Sequence, residues 1–378
     1  MIESRFSIVA VGDLVPSRPL PDAGEFSPGF KDTVARLAEA DVAFGDLEMP
    51  LATAGYPREK LIAFHGAPEL VDDLAVLGFD VLSLANNHSM DYGPEALYET
   101  MGGLDRVNVR HLGAGRDRAE SGRPVIVEAN GAKVGFLAWS CLLPTGAAAS
   151  DARPGLSPLH VNSSYEVNAF TQMEEPGNPP VVRTWVDPAD LAQAVAAIAA
   201  LRAEVDFLAV SVHWGFGAGE QLAEYQRPVG HAFIDAGADV VLGNHVHAVH
   251  GVEVYKDKVI LYSPGNFIAQ QPREGASEAA LAVLDEMSPD GYLARLDVEP
   301  GGNYRVEFVP TSTNADGLPE VVSGAARERI AHRLQRLSAR LGTEISTVED
   351  RLVVLGSGRS ASAAAGSSGA AASTGGSR

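Results

Sequence analysis

Five short apolar runs in this chain each end in a cluster of polar residues, and this pattern restricts the fold more than any other feature. The five ends are Gly12-Asp13, Gly45-Asp46-Leu47-Glu48, Asn86-Asn87-His88, His213-Trp214-Gly215 and Gly243-Asn244-His245-Val246-His247. Helical patterns, such as those near residues 30–39, 68–77 and 188–204, separate the runs. Alternating strands and helices predict an α/β fold with a largely parallel sheet, in which the carboxyl ends of the strands share one edge.

These polar ends supply carboxylate, amide and imidazole groups, which together can bind a divalent metal. Neutral imidazole is a common ligand of zinc, iron and other transition metals, and ligands collect at the carboxyl edge of such a sheet. Each piece alone has an ordinary explanation: Asp13 and Asp46 as turn residues, Asn87 as a helix cap, and His213 as a core histidine. The convergence of all five ends on one cleft favours a metal site.

Composition excludes several classes of protein. The chain has 378 residues, of which 46% are hydrophobic, so it can bury a sizeable core. A net charge of −20 argues against a nucleic-acid partner, because phosphate binding needs clustered lysine and arginine. Cys141 is the only cysteine, which excludes an intramolecular disulfide and a thiolate metal cluster.

The apolar run near the N-terminus is too short for a signal peptide. No run approaches the roughly 18 to 20 apolar residues of a membrane span. We therefore expect a cytoplasmic protein without a membrane span.

We predict one domain over residues 1–355. Residues 141–182 are rich in Pro, Gly, Ser and Ala without a steady period, which predicts a long, lid-like loop insertion. Residues 124–128 and 133–139 predict a hairpin, and residues 292–298 and 304–310 predict a terminal antiparallel pair. Residues 356–378, dominated by Ala, Ser and Gly, predict a disordered tail.

Taken in order, the motifs resemble one known family. Gly-Asp, Gly-Asp-x-Glu, Asn-Asn-His-x-x-Asp-Tyr-Gly, His-Trp-Gly, His-x-His and Gly-Asn-Phe look like the CapA (poly-γ-glutamate capsule-synthesis) family of the calcineurin-like metallophosphoesterase superfamily. The resemblance extends from about residue 8 to residue 310. It implies a four-layer α/β/β/α sandwich with the metal site at the carboxyl ends of the strands.

The resemblance also implies two sets of metal ligands. The first set is Asn87, His213 and His245 with a carboxylate from Asp46 or Glu48. The second set is Asp13 and His247 with the same carboxylate. The chain departs from the phosphoesterases, which carry a histidine two residues after the first aspartate, because Val15 stands there. Its acidic motif is also Gly-Asp-Leu-Glu rather than two aspartates three residues apart. We therefore expect one firm and one weak site for a divalent metal (Mn, Fe, Zn, Mg or Ca). The weak second site argues against phosphodiester hydrolysis, which commonly uses a metal pair.

His88 resembles the catalytic histidine of the superfamily and is the first candidate for acid/base chemistry. Asp91 could orient its ring, or it could simply be the aspartate at a helix N-terminus. His250 is a second acid/base candidate, with an ordinary surface histidine as the alternative. Candidate residues of a substrate pocket are His65, Tyr92, Trp214, Asn266 and Phe267, and core packing is the alternative for the aromatic ones.

The reaction that we favour from the sequence is Cα epimerisation of a residue in a peptide substrate. CapA-like proteins also occur as epimerases of lasso-peptide precursors, and the resemblance together with the depleted second metal site fits that setting. The alternatives are poly-γ-glutamate or capsule biosynthesis, amide hydrolysis, phosphoester hydrolysis, and a non-catalytic binding subunit. The expected substrate is a peptide or a poly-amino acid.

Overall fold

The computed structural model describes residues 2–217, 219–349 and 351–356. The strands are β1 (Phe6–Val15), β2 (Val42–Leu47), β3 (Val81–Ser83), β4 (Arg110–Leu112), β5 (Ala114–Gly115), β6 (Val125–Ala129), β7 (Ala132–Ser140), β8 (Gly155–Leu156), β9 (Val161–Glu166), β10 (Val181–Val186), β11 (Phe207–His213), β12 (Val240–Asn244), β13 (Val252–Tyr255), β14 (Lys258–Leu261), β15 (Asn266–Ala269), β16 (Asp290–Val298), β17 (Tyr304–Thr313), β18 (Pro319–Val321), β19 (Ser346–Val348) and β20 (Arg351–Gly356). The helices are α1 (Pro28–Ala38), α2 (Leu70–Val76), α3 (Gly93–Arg106), α4 (Arg118–Ser121), α5 (Ala169–Glu174), α6 (Pro188–Arg202), α7 (Gln226–Ala236), α8 (Glu278–Asp285) and α9 (Gly324–Ala339), with a short 3₁₀ helix at Ala23–Glu25.

Two β-sheets form the centre of the fold. The strand order of the first is β19-β20-β17-β16-β1-β2-β3-β4, with β15 beside β1 and β18 beside β17. The second has the order β13-β14-β12-β11-β7-β6. Strands β1 to β4 are parallel in the first sheet, and β7, β11, β12 and β14 are parallel in the second. The parallel strands of each sheet therefore end along a common edge.

The two sheets pack face to face, with helices on both outer faces. Phe44 of β2 stacks on Phe136 of β7, with ring centroids 5.5 Å apart, inside the layer between the sheets. Helices α1, α2 and α3 cover the outer face of the first sheet, and α6 and α7 cover that of the second. Because successive strand residues point to opposite faces, Phe136 lies between the sheets while Leu137 contacts the outer helices. The predicted four-layer α/β/β/α sandwich is confirmed.

Local sequence signals explain where several helices begin and end. The side chain of Ser27 accepts a hydrogen bond from the backbone N–H of Phe30, which caps α1. Asp187 caps α6 in the same way, and both helices carry proline at their first position. Helix α7 ends at Gly237, whose φ of 117° lies in the left-handed region that favours glycine.

The structure differs from the prediction for residues 141–182. This segment contains β8, β9 and α5, and β9 pairs with β10 in an antiparallel two-stranded sheet, so the prediction of a long loop was wrong. Most side chains of β9 and β10 are exposed, and a strand without a buried face has no apolar alternation in its sequence.

The hairpin predicted at residues 124–139 is present as β6 and β7. The tail predicted at residues 356–378 lies outside the described residues except for Gly356, which ends β20. In the described part of the chain, no helix combines the length and the hydropathy needed to cross a membrane. The single domain and the cytoplasmic location remain predictions.

Candidate active site

Strands of both sheets bring their polar ends together in one buried cluster. Asp13 of β1 lies beside Asp46 of β2 in the strand register, and His213 ends β11 in the opposite sheet. The His213 Nδ1 atom is 2.8 Å from Asp46 Oδ2, and its Nε2 atom is 2.7 Å from Asn87 Oδ1. His213 therefore links the two sheets, and all five polar ends identified in the sequence contribute to this region.

Two groups of side chains have the spacing needed to hold a metal ion. The first group is Asp13, Asp46 and His213, and the second group is Glu48, His245 and His247. In each group, every residue offers one ligand atom, and these atoms lie within 4.8 Å of one another. This grouping differs from the ligand sets implied by the resemblance, which placed His213 with His245. Nδ1 of His213 faces Asp46, whereas its Nε2 lies 2.7 Å from Asn87 Oδ1 and 3.3 Å from Glu48 Oε1. The ring of His213 therefore contacts both groups, and the ligand sets that the resemblance implies remain a prediction. The two groups adjoin, since the rings of His213 and His245 lie 4.8 Å apart.

The charges of this cluster shift one another strongly. Burial, with the nearby charge of Glu48, raises the pKa of Asp13 well above its usual range. Burial alone would also raise the pKa of Glu48, but the imidazoles of His247 and His213 outweigh it and lower that pKa. Burial would lower the pKa of His213, yet Asp46 and Glu48 raise it to about 10. Three buried carboxylates in contact need a compensating positive charge.

Unpaired buried atoms in the second group fit a metal ion. Among the described residues, neither carboxylate oxygen of Glu48 has a hydrogen-bond partner, and the same is true of Nδ1 of His245. Buried polar atoms are almost always hydrogen-bonded or bound to water or an ion. Glu48 does have ionic contacts, since its Oε1 lies 3.3 Å from Nε2 of His213 and its Oε2 lies 3.7 Å from Nε2 of His247. Carboxylate and imidazole atoms gathered at one point are a suitable donor set for a divalent cation.

The backbone around the second group is held in an uncommon conformation. His245 and His247 have φ values of 102° and 49°, in the left-handed region that residues with a side chain rarely adopt. The backbone N–H of His245 donates to the carboxylate of Asp13 at 3.1 Å, which ties this turn to β1. Such conformations cost roughly 1–3 kcal/mol and persist where the surrounding structure determines them, often at functional sites.

His88 and Asp91 form a hydrogen-bonded pair beside the cluster. The Nδ1 atom of His88 is 2.6 Å from Oδ2 of Asp91, which also accepts the backbone N–H of Phe64 at 2.8 Å. Asp91 is fully buried. A proton on Nδ1 that is donated to Asp91 leaves Nε2 of His88 for proton transfer. The structure thus brings together the two residues that the sequence analysis paired, and their catalytic role remains a prediction.

Lys60 contacts the same pair, and the sequence analysis did not identify it. Its ammonium group forms an ion pair with Asp91 and donates to the backbone carbonyl of Asn87 at 2.8 Å. Lys60 lies in an irregular segment about 30 residues before Asp91 and in no recognisable motif. No local sequence signal could have found it.

A cavity of about 340 Å³ opens beside this pair and the second metal-ligand group. Much of its wall is apolar, formed by Leu61, Ile62, Phe64, Val246, Val283 and Met287. The polar part of the wall includes Lys60, Asn87, His88, His245, His247 and Glu286. The cavity therefore combines acid/base and metal-ligand groups with an apolar surface.

Several residues predicted to line a substrate pocket lie elsewhere. Trp214 is fully buried and stacks on Tyr262, and Phe267 packs edge-on against Phe79, so both belong to the core. Neither lines the cavity, because both pack against the outer helices. Asn266 supports the site instead, since its Oδ1 atom is 2.8 Å from Nδ1 of His247.

Three further candidates lie outside the cavity wall. His65 is exposed and packs against Tyr92, with ring centroids 4.3 Å apart and the ring planes tilted by 31°. His250 is buried, and its Nε2 atom donates to the backbone carbonyl of Gly219 at 2.8 Å. His250 does not line the cavity, and its role as a second acid/base group remains a prediction. The apolar wall formed by Leu61, Ile62, Phe64, Val283 and Met287 was not predicted, because no regular apolar period marks these positions.

Comparisons with known proteins agree with the resemblance. Residues 7–271 match the sequence model of the family described as bacterial capsule synthesis protein PGA_cap. Protein y4sH of Sinorhizobium fredii is 30% identical, covering 92% of each chain, and the capsule biosynthesis protein CapA of Bacillus anthracis is 24% identical, covering 86% of this chain and 71% of that protein. A solved structure of a putative 5′-nucleotidase from Staphylococcus aureus is 15% identical, covers 92% of this chain and 60% of that chain, and has a TM-score of 0.45, which is too low to inform function. The chain belongs to the PGA_cap family of bacterial capsule synthesis proteins.

Proposed function

We propose that this protein is a metal-dependent acid/base enzyme acting on a peptide or poly-amino-acid substrate, and that its reaction is Cα epimerisation. One observation carries the proposal: the His88–Asp91 pair and the Glu48, His245 and His247 group line or adjoin the same cavity. Proton transfer and carbonyl polarisation can therefore act on one bound residue.

The side chains have distinct parts in this reaction. Asp91 holds the Nδ1 proton of His88, so Nε2 can remove the Cα proton from one face. Inversion then requires that the planar carbanion take up a water-derived proton on its opposite face, while His88 releases the abstracted proton to water. Lys60 fixes Asp91 and the backbone of Asn87 in place. A divalent metal bound by the carboxylates and imidazoles would polarise a substrate carbonyl or carboxylate and make the adjacent Cα proton more acidic. The apolar wall excludes bulk water from the reacting atoms.

We further propose that the firm metal site comprises Glu48, His245 and His247, because the unpaired buried atoms lie there. Two imidazoles and one carboxylate favour zinc, manganese or iron over magnesium or calcium, which prefer oxygen ligands. The group of Asp13, Asp46 and His213 would form the weaker site, because Nδ1 of His213 already lies 2.8 Å from Asp46 Oδ2 and Asp13 already accepts the backbone N–H of His245.

The reaction is tested by incubating synthetic peptides with the metal-loaded protein in deuterium oxide. We expect one deuterium at Cα and a second diastereomer, both detected by mass spectrometry and chiral amino-acid analysis. His88→Gln should abolish both while the metal content, measured by elemental analysis, stays unchanged. If wild-type protein gives neither deuterium nor a diastereomer with any peptide, epimerisation is wrong.

Amide hydrolysis in capsule polymer synthesis is the second candidate, and the family match favours it. A metal ion held by the same side chains would polarise an amide carbonyl for attack by water. Incubation of a γ-linked glutamate oligomer in ¹⁸O-labelled water distinguishes the two reactions, since hydrolysis places the label in a new carboxylate. A non-catalytic role predicts instead that His88→Gln leaves cellular function and polymer binding intact. Turnover of a chromogenic phosphodiester would favour a phosphoesterase.

A further inference from the structure

A cavity of about 420 Å³ lies at one edge of the sandwich, away from the candidate active site. Helix α3, strand β4 and the start of β6 contribute to its wall, and β4 and β6 are the edge strands of the two sheets. Arg110 of this wall lies beside Val81, where β3 begins, whereas Asn87 and His88 follow the end of β3. No described residue lines both this cavity and the one beside His88. We call this space the edge cavity.

Two arginines of the edge cavity have side chains without a partner. Arg110 and Arg123 are both exposed. Among the arginines of residues 2–217, 219–349 and 351–356, they are the only two whose side chains make no hydrogen bond, ion pair or ring contact. A guanidinium group donates two parallel hydrogen bonds to a carboxylate or a phosphate. Two such groups at one cavity are therefore suited to an anion.

The other charged groups of this wall leave the excess of positive charge in place. Arg116 pairs with Glu120 at 3.1 Å, and Asp105 lies 3.3 Å from Nε2 of His111. Burial lowers the pKa of His111, so its ring is neutral at pH 7. The wall thus carries three arginines and two carboxylates, in a chain whose net charge is −20.

Aromatic and apolar side chains are open to solvent in the same wall. Tyr98 is 37% exposed and Ile126 is 41% exposed, and Met101 also lines the cavity. The guanidinium of Arg116 lies over the ring of Tyr98, 5.8 Å from its centroid. Ligand pockets typically combine such surface with a few polar groups that fix the orientation of the ligand.

A glycine keeps the helical side of the edge cavity open. Gly102 and Gly103 lie inside α3, where glycine is less favourable than alanine. Gly103 has a packing reason, because a Cβ atom there would lie 3.2 Å from Val71. At Gly102, which lines the edge cavity, no atom of the described chain apart from its helix neighbours would lie within 4 Å of a Cβ atom. The missing side chain at Gly102 therefore serves the open space and not the packing of α3.

We propose that the edge cavity is a second binding site, which takes a small organic anion with an aromatic or apolar part. A carboxylate or phosphate group of the ligand contacts Arg110 and Arg123, and its apolar part lies against Tyr98 and Ile126. The site is separate from the metal-ligand groups, and it does not depend on the proposed reaction.

Fluorine NMR with small probes tests this site. The probes are para-fluorophenylphosphonate, para-fluorobenzoate and the neutral para-fluorobenzamide, with methylphosphonate as a competitor that lacks the ring. Broadening of the probe signals gives dissociation constants, which we expect at about 1–10 mM for anions of this size. Both anions should bind at least about tenfold more tightly than the amide. Methylphosphonate should compete only weakly, and the tighter of the two anions identifies the acidic group.

Matched variants assign this binding to the edge cavity. Arg110→Gln and Arg123→Gln should each weaken the anions about tenfold, because each removes a charged donor. Gly102→Leu should also weaken them, since its side chain would enter the cavity. Lys31→Gln removes an exposed charge on α1 and should leave the affinities unchanged. Thermal unfolding verifies that each variant folds, as expected for exposed positions.

Four results would overturn the inference. They are no measurable binding of either anion, amide binding as tight as that of the anions, unchanged affinities in the folded Arg110→Gln and Arg123→Gln proteins, and binding that disappears when a chelator removes the metal. The last result would place the anion at the metal-ligand groups of the candidate active site. Equal binding before and after chelation supports a separate site.

Discussion

Glu48 carries two buried oxygens without a hydrogen-bond partner among the described residues, so its substitution should reveal the metal site. Metal that binds only the folded state raises the melting temperature. We expect manganese or zinc to raise that of the wild-type protein by several degrees and to leave that of Glu48→Gln nearly unchanged. Differential scanning fluorimetry with elemental analysis measures this. Asp13→Asn should lose less of the shift, and an equal loss in both variants would contradict the assignment of the firm site.

Asp91 should affect the rate of proton transfer and not the metal content. Asp91→Asn keeps the shape of the side chain but replaces the carboxylate that accepts the proton of His88 and pairs with Lys60. Loss of such an orienting partner typically costs about 10- to 100-fold in activity. Deuterium exchange at Cα, measured across pH, should show that loss and a changed pH profile. An unchanged rate would mean that Asp91 serves only the fold.

Residues of the candidate site that directly follow a strand could be predicted from the sequence, whereas those in irregular segments could not. Asp13, Asp46 and His213 follow apolar strand residues directly, and parallel strands bring such positions together. Lys60, Ile62 and Met287 reach the site from irregular segments whose path no periodicity describes. The orientation of the His213 ring, with Nδ1 beside Asp46 and Nε2 beside Asn87 and Glu48, also escaped prediction, because no sequence pattern specifies a side-chain rotamer.

At the scale of elements, one loop beside the cavity is tied to α9 by charge. Glu220 pairs with Arg336 at 2.8 Å and with Arg340 at 3.2 Å, and Gly217 of the same loop lines the cavity. The hydrogen bond with Arg336, assisted by the neighbouring arginines, lowers the pKa of Glu220 from 4.5 to about 2. These contacts hold the loop against the helix.

Substitution of Glu220 should therefore have an effect that depends on pH. A lowered pKa in the folded state means that the ion pair stabilises the protein fully above pH 4.5 and loses this effect as the pH falls towards 2. Glu220→Gln should lower the melting temperature by about 1–2 °C at pH 7, as expected for exposed pairs. The difference from wild type should shrink below pH 4.5 and at high salt. Glu39→Gln, at an exposed position, is the control, and a difference independent of pH would refute the ion-pair explanation.

The β9–β10 hairpin with α5 should contribute little to stability. Tyr165, Phe170 and Met173 are 69%, 71% and 80% exposed. Their replacement by serine should change the free energy of unfolding by less than about 0.5 kcal/mol each. Val186→Ala, at the buried end of β10, should cost about 2 kcal/mol. Urea denaturation compares the variants, and a large loss from the exposed positions would show that the hairpin packs against something in solution.

At the scale of the whole molecule, the sheet that carries Asp13 is completed by a distant part of the chain. Strand β1 pairs with β16 over Phe6–Ala10, and Ile8 lies opposite Leu296. The family match ends at residue 271, before β16 begins. A fragment of residues 1–276 should therefore lack a cooperative unfolding transition and bind no metal. A fragment of residues 1–356 should unfold cooperatively and bind metal. Cooperative unfolding of the shorter fragment, followed by circular dichroism, would contradict this.

The terminal antiparallel pair itself was predictable, because residues 292–298 and 304–310 alternate and are close in sequence. Its position beside β1 was not, since pairing between distant strands leaves no local pattern. The same holds for β18, β19 and β20, which extend this sheet beyond β17. Short-range order could be read from the sequence, and the assembly of the sheet required the structure.

The pairing of β1 with β16 has a consequence for synthesis on the ribosome. Roughly 290 residues separate Ile8 from its partner Leu296, and translation at about 5–20 residues per second takes about 15–60 s to supply them. During that time β1 lacks its neighbour β16 on one side. The nascent chain should therefore occupy a chaperone such as a ribosome-associated holdase until its last third emerges. We expect stable metal binding only after β16 has been synthesised.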